Sequence, residues 1–321
     1  MASTELALER SLYVGDAIGA IIYGIQLTLF FHSTHYLLRG SRENRKRDLG
    51  FILYGFILAL MVSIALATNF VFGQLMWIDR RNEPGGPPEF FRVNGTIWYQ
   101  IFGTTAAYVG IAMSDALMLH RCYAITAGNP WLCIPSGIIF LASLALGIVS
   151  IIASASPNVF LLAGRPAQFG TAWISLSVAY NIIVTFIISV KLILASRRLK
   201  RIALPEYAGI YTSVAAIVIE SAFPPSFIGI VFSVIYGLNN VSALAFSVAW
   251  GCLLAVSPQL IILRVARGTA WSQNTLNDAP ISAIRFKGQP DTVNLGSDDS
   301  VSVAATGNLE LIQSKSESAV V

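Results

Sequence analysis

The residues of this chain whose types could do chemistry lie inside or at the edges of long apolar runs. Asp115 falls within the stretch Trp98 to Tyr123, and Glu220 with Ser221 precedes the pair Pro224-Pro225 in another apolar run. An ionisable side chain in hydrocarbon costs at least ~2.5–3.5 kcal/mol on insertion scales, so each acid must face protein, water or a ligand rather than lipid. Pro224 and Pro225 cannot donate the amide hydrogens that the carbonyls of Glu220 and Ser221 would accept. Two backbone acceptors and one carboxyl are then left together at membrane depth, which reads either as an ion or ligand seat or as a protonated glutamate bonded to a neighbour. Trp250 is the only tryptophan expected in the middle of a span and joins Glu220, Ser221 and Asp115 as a ligand or ion-binding candidate. Lys191, the only lysine within a predicted span, is the expected partner of Asp115 in a charge lock on the inner side of the bundle.

All three histidines, His32, His35 and His120, are expected near one end of the bundle, close to Asp115. Three imidazoles and a carboxylate suffice for a catalytic zinc, so a metal-dependent intramembrane hydrolase is an alternative. No HExxH accompanies them, and histidine rings are common at a membrane boundary, so no metal is favoured. The chain has no GxSxG, phosphate loop or dinucleotide fingerprint, so neither a catalytic residue nor a cofactor is assigned and the enzyme reading is not favoured. The last predicted helix, 241–263, contains no lysine to form a retinal Schiff base.

These residues must be positioned by membrane-spanning helices. Of 321 residues, 55% are hydrophobic and only 12% charged, too few charges to cover a soluble surface. Crossing ~30 Å of hydrocarbon takes ~20 apolar residues in helix, and seven segments meet that length. They are predicted at 14–38, 49–72, 98–120, 132–153, 172–195, 207–236 and 241–263. The fold class expected is all-α, a polytopic seven-helix bundle spanning 14–271, between a short extracytoplasmic N-terminus (1–13) and a disordered cytoplasmic tail (272–321). The third span, carrying Asp115, should be central.

Connections on one side hold twelve Lys and Arg (Arg39, Arg42, Arg45, Lys46, Arg47, Arg121, Arg197, Arg198, Lys200, Arg201, Arg264 and Arg267). The other side holds five (Arg10, Arg80, Arg81, Arg92 and Arg165). The richer side is assigned to the cytoplasm, with the N-terminus outside. The net charge of +4 thus reflects inner loops, not a nucleic-acid patch. No cleaved signal peptide is expected, because Glu5 and Glu9 precede any basic residue.

Trp77, Trp98, Trp131, Trp173 and Trp271 fall at predicted helix ends, as interfacial indoles do. Gly15-xxx-Gly19 and Ala20-xxx-Gly24 predict a close-packed seam on the first helix. Glu83-Pro-Gly-Gly-Pro-Pro88 predicts an irregular outer loop that either covers a ligand entrance or only joins two helices. Pro224, Pro225 and Pro258 predict helix kinks.

At Met113-Ser-Asp-Ala-Leu-Met-Leu-His-Arg-Cys-Tyr123 and Ser257-Pro-Gln-Leu-Ile-Ile-Leu-Arg-Val-Ala-Arg-Gly-Thr-Ala-Trp271, the chain resembles a seven-helix integral membrane protein family of mushroom-forming (basidiomycete) fungi. The resemblance covers about residues 12–271 and implies fold and topology, with no assigned chemistry. Arg121-Cys-Tyr123, a helix-six proline and Ser257-Pro258 are more distantly similar to G-protein-coupled receptor features. His120 stands where an acid would precede the arginine, the second predicted span at 49–72 has no acid within it, and no outer cysteine pair exists among Cys122, Cys133 and Cys252.

The favoured expectation is a receptor-like sensor of a small molecule or lipid in the plasma membrane. A cytoplasmic signalling partner would dock at 121–131, 196–206 and the tail, and the only other partner expected is the lipid bilayer. A small-solute or proton-coupled transporter using Asp115 and Glu220 is the alternative, although no inverted repeat is evident.

Overall fold

The computed structural model describes residues 2–39, 45–126, 130–155, 164–201 and 205–267, so the tail at 272–321 and Trp271 lie outside the described residues. The chain forms α1 (Ala2–Leu38), α2 (Arg45–Gln74) ending in a π-helical turn (Leu75–Asp79), α3 (Gly86–Asn94), α4 (Trp98–Ile125), α5 (Pro130–Ser154), α6 (Gly164–Arg201), α7 (Pro205–Gly237) and α8 (Ala243–Ala266). No strand occurs among the described residues. Every helix except α3 is long and apolar enough to cross a membrane, which makes seven. Ile21, Ile138, Ile152, Phe186, Phe223 and Val234 are each more than half exposed. A soluble surface rarely carries so much contiguous apolar area, whereas a lipid-facing one requires it.

The spans alternate in direction. One end of the bundle therefore gathers the starts of α1, α4, α6 and α8 with the ends of α2, α5 and α7; this is the N-terminal end, and the opposite one is the basic end. The N-terminal segment is not a separate extension, because helix continues back to Ala2. Ala2-Ser-Thr-Glu-Leu-Ala-Leu-Glu contains no Gly or Pro and is rich in helix formers, so the turns of α1 propagate past its apolar part.

The helix expected to be central, α4, contacts α2, α5, α6 and α8, yet α8 is the most enclosed. Small residues let α8 sit deep: a Cβ on Gly15 of α1 would come within 2.8 Å of the Ala245 backbone, and one on Gly19 within 2.6 Å of Val248. The first predicted small-residue pair is thus a real seam, against α8. Gly24 of the second pair meets nothing within 4 Å and takes no part in it. Gln259 of α8 donates to the Gly55 carbonyl of α2 at 3.1 Å, joining two helices through a buried side chain.

The Pro/Gly stretch does not stay irregular. Gly85 and Gly86 adopt positive φ (88° and 63°), conformations that side chains resist, and turn the chain into α3. Pro87 and Pro88 then sit in the first helical turn, where the missing N–H bonds are not needed. Phe90 and Phe91 of α3 are buried against Phe72 at ring distances of 5.4 and 5.9 Å. Arg92 clasps Glu89 with bonds of 2.8 and 2.6 Å, which holds that carboxyl below its ordinary range and raises the guanidinium. Helical conformation also continues through Pro224 and Pro225 in α7 and through Pro258 in α8.

Candidate functional site

At the N-terminal end the seven spans part around a cavity of about 250 Å³. All seven contribute, including Asp16 of α1, Asn69 of α2, Gln100 and Tyr108 of α4, Ser150 of α5, Trp173 of α6, Tyr236 of α7 and Trp250 of α8, and Phe91 adds a wall from α3. One side is aromatic. Tyr108 stacks on Trp173 with centroids 4.1 Å apart, while Trp250 meets Trp173 edge-on and Phe232 at a tilt, at 5.6 Å each. Trp173 is therefore not an interfacial anchor; at 7% exposure it is a cavity wall, whereas Trp98 and Trp131 at 75% and 86% do face outward.

The cavity's polar groups are few and unevenly satisfied. Tyr108 and Ser150 hydroxyls pair at 3.2 Å, and Gln100 Nε2 donates to Asn69 Oδ1 at 3.2 Å. Gln100 Oε1 is buried with no partner. Asp16 is 7% exposed, and no described residue donates to or pairs with its carboxylate. Cys252, also buried, lies within electrostatic reach of it. In the sequence Asp16 is marked only by its position inside the predicted span 14–38, with no motif around it. Asn69 and Gln100 carry no motif at all.

Asp115 belongs to a different place, deeper along α4. Asn181 Nδ2 donates to its Oδ1 at 2.8 Å, the Ser177 hydroxyl to its Oδ2 at 3.2 Å, and the Tyr180 hydroxyl to its backbone carbonyl at 2.9 Å. From the other flank Tyr54 of α2 donates to the Met113 carbonyl at 2.8 Å. The neighbouring void, lined in part by Ser114, Asn181, Pro225 and Pro258, is only about 10 Å³, the lower limit for one water. This is a closed structural knot tying α4 to α2 and α6.

The expected lock with Lys191 is not what forms. Its helix is the right one, but the partners lie at 177–181, and no ion pair joins Asp115 to Lys191 among the described residues. Residues 177–181 of α6, more than two turns before Lys191, lie at the level of Asp115, so counting back from helix ends does not give the register between two packed helices.

Glu220 is exposed on α7, near the basic end, and faces the charge of Arg264 on α8. Ser221 donates to the Val218 carbonyl at 3.1 Å. Neither lines the cavity. The three histidines are all exposed, and His32 and His35 pack against Tyr36. No group of three His, Cys, Asp or Glu able to hold a metal occurs among the described residues, so the zinc alternative is not assembled. Of the sequence candidates, only Trp250 lies in the cavity wall. Compared with protein-family models, curated proteins and solved structures, the chain matches none.

Proposed function

We propose that this chain is a receptor-like seven-helix sensor whose cavity at the N-terminal end receives a small molecule or lipid, with that end outside the cell and the basic end in the cytoplasm of a plasma-membrane protein. The observation that carries this reading is the cavity of about 250 Å³ shared by all seven spans. A ligand touching every span at once can bias how they pack, which is what a sensor needs to pass binding to the far end. The excess of Lys and Arg at the basic end supports the orientation. Membership of the basidiomycete seven-helix family belongs to the same proposal and rests on the two stretches of resemblance. The transport alternative would use Asp115 and Glu220 together; the former is enclosed by α6 donors and the latter sits on an exposed face.

Gly251 gives a direct test. It lines the cavity, and a Cβ there meets nothing within 4 Å. Gly251→Leu should take up part of the cavity and narrow it while favouring helix by about 1 kcal/mol. Small molecules that raise the melting temperature of the wild-type protein should lose that effect in the variant, whose unliganded stability holds or rises. Full ligand response in the variant would remove the cavity from the account. For orientation, a cysteine at exposed Gly85 should react with an impermeant thiol reagent on intact cells, and one at exposed Arg45 should not.

A further inference from the structure

The cavity presents hydrogen-bond acceptors for which the protein supplies no donor. Asp16, at 7% exposure, lines the cavity with no described donor or counter-charge, and the Oε1 of Gln100 is buried there without a partner. Among the described lining residues there is no Lys, Arg or His, so no internal cation balances the acid. A carboxylate held away from bulk water without a counter-charge is unfavourable, and a buried acceptor lacking a donor adds to that. What removes both deficits is a ligand that carries positive charge and N–H groups. The remaining wall suits such a ligand, because the faces of Tyr108, Trp173 and Trp250 attract cations and bury an apolar body. A bare metal ion fits poorly: hard cations take six or more oxygen ligands, and Asp16 is the only acid among the described lining residues.

We propose that the cavity seats a small organic cation, an amine with an apolar or aromatic body, whose ammonium group binds Asp16. This rests on the cavity being the ligand seat, and it adds the ligand's chemical class. The acid approaches from α1, which packs along α8 through Gly15 and Gly19, so engagement of Asp16 pulls on the seam of the most enclosed helix.

The test uses the full-length protein in lipid nanodiscs at pH 7 with three probes of matched shape: 2-phenylethylamine, 2-phenylethanol and phenylacetate. Calorimetry should show the amine bound at least about ten-fold more tightly than the alcohol, as expected for a charge-assisted bond in a desolvated site, with phenylacetate weakest. In Asp16→Asn the amine should fall to the alcohol's affinity while the alcohol is unchanged. Should that variant fail to fold, the ranking on the wild-type protein decides by itself. An amine bound no better than the alcohol, or an amine preference that survives Asp16→Asn, overturns the proposal. If the alcohol binds and Gly251→Leu abolishes it, the ligand cavity stands and only the cationic class falls. If none of the probes binds, the cationic class falls, and the cavity stands or falls by the melting comparison of wild type with Gly251→Leu.

Discussion

Asp16 and Asp115 are acids of the same type in spanning helices, each less than a tenth exposed at 7% and 3%. Their surroundings differ completely. Asp115 sits where α4 meets α6, and both of its oxygens accept bonds from side chains on that neighbour. Asp16 sits where the helices separate, lines a cavity, and receives no donor from the described residues. In hydrocarbon both would be costly, so burial alone cannot separate structural from functional acids. Whether the protein itself supplies the partner does separate them. The first arrangement holds a bundle together, and the second leaves interaction energy for something that arrives later.

The comparison is broken most easily at Asp115. Asp115→Leu strands the donors of Asn181 and Ser177 in a dry contact, and unfolding in detergent should show a loss of roughly 1–3 kcal/mol. Combining it with Asn181→Leu should recover part of that loss, because the stranded amide goes too. Losses that simply add would mean the two do not interact. The next effect is the gain of about 1 kcal/mol expected at Gly251, which sharpens the contrast by narrowing the Asp16 chamber while leaving the Asp115 knot intact. The smallest effect belongs to Glu220. It is exposed and only within electrostatic reach of Arg264, an attraction that contributes little, so Glu220→Gln should stay within about 0.5 kcal/mol of wild type. A larger loss would show that Glu220 has a buried role.

Much of the architecture was legible because transmembrane length and apolarity are one-dimensional signals. The start of α4 at Trp98 and the end of α1 at Leu38 coincide with their predictions, α8 starts at Ala243 rather than at 241, and the other span boundaries extend outward where helix formers continue past the apolar core, as at Ala2 and Arg201. The partner helix of Asp115 was legible, but its register was not, since sliding between helices is decided by packing that no single chain segment encodes. The tertiary role of α3 was hidden for a similar reason. Its Pro and Gly residues read as breakers, and only their place in the first turn, with Phe90 and Phe91 free to dock on Phe72, turns them into a helix start. Asp16 was visible as a residue but not as a site. Its significance comes from Asn69, Gln100 and Trp250 converging from three other helices, a fact of assembly that spacing along the chain does not contain.

The central claim, that one buried acid is satisfied by the protein and the other is reserved for a ligand, is tested most directly by thermal unfolding of Asp16→Leu and Asp115→Leu side by side, without ligand, in the same detergent. The account predicts that Asp16→Leu melts at or above the wild-type temperature, because removing an unpartnered buried carboxylate relieves a cost, while Asp115→Leu melts clearly below it. Equal destabilisation by the two substitutions would contradict the account, since it would mean that Asp16 also holds the bundle together.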